Sequence, residues 1–338
     1  SGFDVPAPSP NSRLSGSDAP AADMNPSRLG PVLQWEQTDG RLRVSQGDRE
    51  LIFCLETGAL LEWKLAGRPL LRSGPAIGVW RAPVDNDVHL AKQWKQAGYD
   101  RLLALPRRVA VARLDAGGVQ IRAELALGAR GEAIAFRCAV CYTLSADGGL
   151  LLEAELEPRK GLPPLPRFGC ELRMPEGFER MAWFGRGPHE CYPDRQDSGK
   201  LGVYGGTVQE QFVPYIKPQE NGRKADVRWA ELTGAADIGL RFEAVAGRQF
   251  GFGASHYATE DLATATHVHR LTRLKETVVR LDAAHSGLGN HSCGYAPTLE
   301  KYLLPAEPMT FAVRIRPVEG GRHFGPAASL PLASAVFA

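Results

Sequence analysis

The sequence predicts an all-β fold, a large antiparallel β-sandwich with few short helices. Three observations predict it. Short runs of alternating apolar and polar residues recur along most of the chain at the spacing of meanders and Greek keys. Turn chemistry separates the early runs, as in Asp39-Gly40, Thr57-Gly58 and Ala66-Gly67. Helical signatures are confined to two stretches. In 87–102, Leu90, Trp94, Ala97 and Leu102 share roughly one face, and 259–265 opens with the cap-like Thr259-Glu260-Asp261.

In order, the predicted strands cover 32–37, 42–45, 51–55, 60–65 and 77–80, then 109–114, 119–127, 132–144 and 150–157. They continue over 167–173, 181–184, 227–232, 238–244 and 250–256, and close with 266–270, 276–284 and 309–317. So many short strands with so little helix imply two large antiparallel sheets packed face to face. The 338 residues suffice for one large core. Ser1–Gly30, rich in Ser, Pro, Ala, Asn and Asp without periodicity, reads as a linker or disordered leader. The sandwich then occupies 31–318, and 319–338 is a C-terminal tail.

Composition narrows the function. With 40 basic and 38 acidic residues the net charge is +2, and the basic residues are scattered rather than striped. Nucleic acid and anionic membrane are therefore not expected partners. No stretch approaches the ~20 apolar residues of a membrane helix. Six cysteines are too sparse for a disulfide scaffold. Cys138 and Cys141 form a C-x-x-C inside one predicted strand, where positions i and i+3 face opposite sides. They read as core thiols, not as a metal pair. No apolar signal-peptide segment opens the chain, so cytoplasmic residence is the default expectation.

Four segments carry denser chemistry. Trp183-Phe184-Gly185-Arg186-Gly187-Pro188-His189-Glu190-Cys191-Tyr192-Pro193-Asp194-Arg195 packs turn residues, aromatics and hydrogen-bonding groups into a shaped loop between strands. In Trp80-Arg81-Ala82-Pro83-Val84-Asp85-Asn86-Asp87, Asp85 and Asp87 could bind a cation or sugar hydroxyls. Alternatively Asp87 caps the following helix and Asp85 and Asn86 make an Asx-turn, and an Arg81–Asp pairing suits either account. The segment 214–223 is stiffened by Pro214 and Pro218 and turned by Asn221-Gly222, with Tyr215, Glu220 and Arg223 projecting. Finally, 285–294 is glycine-rich and follows a strand, but no helix with a phosphate-loop continuation comes after it. His267 and His269 alternate in a predicted strand and so share a face, which suits a metal or an acid/base pair, or hydrogen-bonded sheet histidines. No pair of carboxylates is nominated by spacing as a catalytic acid/base pair.

Three blocks together resemble the C-terminal domain, or separate small chain, of glycoside hydrolase family 2 β-galactosidases: 80–87, 183–195 and 214–222. The segments 266–271 and 285–294 follow in the same order, so the resemblance covers roughly 32–317. It implies a super-sandwich related to the galactose-mutarotase-like proteins. It implies retaining hydrolysis of terminal β-D-galactosides, with the catalytic glutamates on a (β/α)8 barrel that is not in these residues. Catalytic residues are then expected to be absent from this chain.

The resemblance further implies that Asn290, His291 and Cys293 lie at the rim of the galactoside site. Cys293 matches a position where well-known members carry a sugar-stacking tryptophan. A thiol offers far less than the 150–250 Å² of such a ring, so weaker substrate affinity or altered aglycone preference is expected. Arg81, Asp85, Asn86, Asp87, Arg186, Glu190, Tyr192, Asp194, Arg195, Tyr215, Glu220 and Asn221 are expected in interface or shaped loops. Full enzymes of the family often use Mg and Na, but no cofactor or metal is expected in this chain. Expected partners are the catalytic barrel or large subunit, a galactoside, and a second copy in a homo-oligomer. The alternative is a stand-alone carbohydrate-binding or aldose-1-epimerase-like domain on the same fold, using His267 or His269 with Glu190.

Overall fold

The computed structural model describes residues 32–114, 117–145, 148–289 and 298–320. Among them, strands β1 (Gln34–Thr38), β2 (Arg41–Gln46), β3 (Arg49–Cys54), β4 (Leu60–Leu65) and β5 (Arg68–Pro69) form one five-stranded sheet in chain order. A nine-stranded sheet runs β13 (Lys200–Thr207), β12 (Arg180–Gly187), β15 (Trp229–Thr233), β16 (Gly239–Ala244), β19 (Met309–Val318), β10 (Leu150–Pro158), β9 (Phe136–Leu144), β8 (Val119–Gly128), β7 (Leu103–Arg113). The third sheet has the order β14 (Lys224–Val227), β17 (Phe250–Ser255), β18 (Thr277–His285), β11 (Arg167–Met174), β6 (Ser73–Gly78). Every pairing is antiparallel.

Period-two patterning builds these layers. In β10, Leu150, Leu152, Ala154 and Leu156 are buried while Glu153, Glu155 and Glu157 are exposed. The buried face of the nine-stranded sheet meets both smaller sheets. Phe53 of β3 lies 5.3 Å from Tyr142 of β9, and Phe242 of β16 lies 6.0 Å from Phe252 of β17, centroid to centroid. The sandwich therefore has one continuous nine-stranded layer, and its facing layer is divided into two five-stranded sheets that adjoin at β4 and β6. The β1–β2 hairpin turns on Asp39 and Gly40 at φ 51° and 71°, the left-handed pair that a two-residue loop requires.

Two predicted strands differ, and β13 lies outside the predicted set. The single strand expected over 227–232 is two strands in different sheets, β14 and β15. Asp226 takes φ 52° and Arg228 N–H bonds to Phe184 O at 2.8 Å, so the chain crosses between layers at Arg228. The strand expected over 266–270 is a 3-10 turn, Val268–Arg270, so His267 and His269 do not alternate along a strand. Their exposed rings instead stack on each other at 5.4 Å. Strand β13 was not expected, because Gly202, Gly205 and Gly206 dilute its pattern.

Helices α1 (Val88–Gln96) and α2 (Thr259–Thr264) occupy the two stretches with helical signatures. Helix α1 buries Leu90 and Trp94, and Trp94 Nε1–H bonds to Pro164 O at 2.7 Å. It gives way at Gly98, whose φ of 75° suits a helix-ending glycine. Cys138 and Cys141 are both buried in β9, and burial pushes the Cys138 thiol up to about 12. Among the described residues, no helix is long and apolar enough to cross a membrane.

Candidate functional site

The shaped loops converge around the 285–289 segment that leaves β18. Arg81 and Asp87 are sealed, each side chain 0% exposed. Arg81 Nη2 donates to both Asp87 oxygens at 2.7 and 2.8 Å and to Gly287 O at 3.2 Å. Val84 N–H also bonds to Asp87 Oδ2 at 2.8 Å. Burial pushes the Asp87 carboxyl up, while Arg81 and the Val84 N–H hold it down. Asp87 occupies the N-cap position of α1 yet makes no side-chain cap bond, contrary to the helix-capping expectation. Its oxygens are already taken by Arg81 and Val84. The Asx-turn expected of Asp85 and Asn86 is likewise replaced by longer reaches. Asp85 Oδ1 pairs with Lys217 at 3.2 Å, and Asn86 Nδ2–H bonds to Leu288 O at 3.1 Å.

Asp194 grips the same segment. Leu288 N–H and Gly289 N–H donate to its two oxygens at 3.0 and 2.7 Å. Gly289 has φ 109°, and a Cβ there would fall 2.5 Å from Asn86, so glycine is required. Val84, Tyr192 and Leu288 form a small apolar cluster under these contacts.

The loop 214–223 adds a second set. Tyr215 O–H and Gly222 N–H donate to the two oxygens of Glu190 at 2.5 and 2.7 Å. Asn221 folds back on its own loop, accepting from Val213 N–H at 3.1 Å and donating to Gln219 O at 2.9 Å. Glu220 is buried: its N–H bonds to Ala82 O, and Tyr192 O–H donates to its Oε1, both at 3.3 Å. Burial pushes the Glu220 carboxyl up, opposed by the Arg280 charge. Arg186 pairs with Asp226 and donates to Gly199 O, holding the far end of 187–199. Arg195 is exposed and bridges to Tyr192 through the backbone.

Beneath the loops lies an ion cluster that the sequence reading missed. Arg167 Nε and Arg223 Nε bond to the two Asp282 oxygens at 2.6 and 3.2 Å, all three side chains being buried. Arg280 bonds to Glu171 at 3.4 Å. A charged Asp282 and Arg280 within the apolar run of β18 was the available signal, since unpaired charges are not tolerated there. Lys224 stacks on Trp183 at 4.9 Å, and burial lowers its ammonium to about 8.

The arrangement leaves little free acid/base capacity. Asp87, Asp194, Asp282 and Glu190 each have both oxygens engaged by internal donors. His267 bonds to Thr266 and stacks on His269, and neither ring is a partner of Glu190. No group of His, Cys, Asp and Glu fit to hold a metal ion occurs among the described residues, and buried Asp87 and Asp282 pair with arginines instead. Asn290, His291 and Cys293, expected at the rim, lie outside the described residues.

Comparison with known proteins follows this geometry. The family model of the beta-galactosidase small chain matches residues 45–315. A β-galactosidase of Priestia megaterium is 32% identical over 281 residues, covering 82% of this chain and 26% of the relative. One from Arthrobacter sp. (strain B7) is 34% identical over 279 residues, covering 75% of this chain and 27% of the relative. The chain thus spans about a quarter of the length of these relatives. Among solved structures, a putative aldose 1-epimerase of Escherichia coli K12 overlaps 82% of this chain and 98% of its own at 11% identity, TM-score 0.42. That overlap is too loose to bear on activity or site.

Proposed function

The chain belongs to the β-galactosidase small-chain family, and from that premise we propose that it is the terminal sandwich of a β-galactosidase. The whole enzyme hydrolyses terminal β-D-galactosides by the retaining route. Two carboxyl groups about 5–5.5 Å apart carry that chemistry, one as acid/base and one as nucleophile. In this reading both belong to a (β/α)8 barrel outside these 338 residues. The sandwich supplies the rim of the sugar site through Asn290, His291 and Cys293. Its segments 80–87, 183–195 and 214–222 pack against the barrel.

The observation that carries this reading is the family match over residues 45–315 combined with coverage of only 26% of the relative. The engagement of Asp87, Asp194, Asp282 and Glu190 by internal donors agrees with it, because a general acid needs an oxygen within reach of substrate. Assays with lactose and a nitrophenyl galactoside test it. The isolated chain is expected to show no turnover, and the chain joined to its barrel is expected to be active. Turnover by the pure chain would sink the proposal.

A further inference from the structure

The nine-stranded sheet ends differently on its two sides. At one edge β13 is mostly half-buried, and its last N–H, on Thr207, donates to Glu210 Oε2 at 2.7 Å. At the other edge β7 runs for 11 residues, of which only Val109 and Val111 are half-buried and the rest exposed. Among the described residues, backbone hydrogen bonds reach 103–113 only from β8. A long exposed edge is a template for one more strand, and proteins normally blunt it. Here the blunting is partial. Pro106, which lacks an N–H, and the register shift at Arg107 interrupt pairing, but 108–113 continues without either.

Side chains along this edge are apolar at one end and cationic at the other. Leu103 and Leu105, on one face of the strand, are 50% and 44% exposed. On the other face, Ala104 and Pro106 border a cavity of about 160 Å³ whose walls include Ala59, Ile77 and Val140. Arg101, Arg122 and Arg137, nearby, have glutamate partners at 4.0, 3.8 and 3.8 Å. Exposed Arg107, Arg108 and Arg113 have no ion pair among the described residues, and Arg108 makes none even with Glu124, its register partner on β8. A second copy pairing here would bring two arginine-bearing edges together, and like charges across a strand pair destabilise it. A strand that carries carboxylates is stabilised instead.

We propose that residues 108–113 of β7 dock an extended, acidic segment of polypeptide as a further strand of the nine-stranded sheet, the same partner covering the apolar side chains at 103–106. Main-chain bonds give such an added strand its affinity, and side chains give its specificity. The segment is assigned to the part of the enzyme outside these 338 residues, since the chain spans 26% and 27% of two relatives. The inference rests on the proposed function, which sets the chain within a longer enzyme. It adds a surface of contact on a strand edge, distinct from the shaped loops.

Amide hydrogen exchange in the chain alone, and in the chain joined to the rest of the enzyme, tests it. Joining is expected to slow the 108–113 amides that β8 does not engage by about tenfold or more, with β9 amides unchanged. Arg108→Glu combined with Arg113→Glu is expected to abolish that slowing, and raised salt to reduce it. Equal exchange in the two proteins would overturn the proposal. So would slow exchange already present in the chain alone, which assigns the edge to a second copy or to the chain's own termini. Slowing that survives the double charge reversal would overturn the acidic partner, and should that variant fail to fold, the wild-type comparison alone decides. Turnover of a nitrophenyl galactoside by the joined protein reads out the proposed function separately. An active joined protein with fast β7 amides therefore fails this inference and not that reading.

Discussion

Arg81 illustrates how a residue with an obvious local partner can serve a distant one. The Arg81–Asp87 pair spans six residues, yet the same Nη2 reaches Gly287 across the sequence. Removing one partner of a sealed pair strands the other charge, so Arg81→Met is expected to cost about 3–5 kcal/mol, read from the midpoint of urea unfolding. Asp194→Asn removes one of two charge-assisted acceptors and is expected to speed hydrogen exchange at the Leu288 and Gly289 amides while leaving β10 amides unchanged. His285 predicts a pH dependence. Its folded pKa is depressed below 6.5, so the unfolded chain binds the proton first as pH falls. The contribution is fully present above pH 6.5 and declines below it, down to the folded value. Unfolding midpoints measured across that window are expected to fall less steeply in His285→Phe than in the wild type.

Elements place these residues. Helix α1 is short, with its inner face pinned by Trp94 against Pro164 O and with Arg81 lying 5.4 Å over the Trp94 ring. Trp94→Ala is expected to cost about 3–5 kcal/mol through the cavity it leaves, measured by denaturant unfolding. Strand periodicity made β8 and β10 readable in the sequence, because one of their faces is buried and the other carries charge. It misread 227–232, where the apolar pattern continues across Arg228 although the backbone changes sheet. It also misread 266–270, since alternation over five residues fits a turn as well as a strand. Neither error is visible without the positive φ of Asp226 or the Val268 N–H bond to Ile216 O.

At the scale of the molecule, the sandwich is one face of nine strands against two smaller sheets, with the shaped loops gathered near the end of β18. Coverage of about a quarter of the relatives' length frames the functional proposal at this scale. Under the proposed function, joining the chain to the barrel which that reading invokes is expected to change turnover from none to readily measurable.

The sequence alone determined the all-β class, the two helices and the family, because alternation, turn residues and ordered motifs are local properties of the chain. It also marked Arg81, Asp87, Glu190, Asp194 and Glu220 as special, since turn-rich loops bearing charge stand out from strand pattern. Only the tertiary structure decided their partners. Asp194 with the Leu288 amide, Arg167 and Arg223 with Asp282, and Tyr215 with Glu190 are pairings across tens of residues. Such pairings arise where separate strands end together, and desolvation there forces each buried charge to find whichever partner the fold brings near.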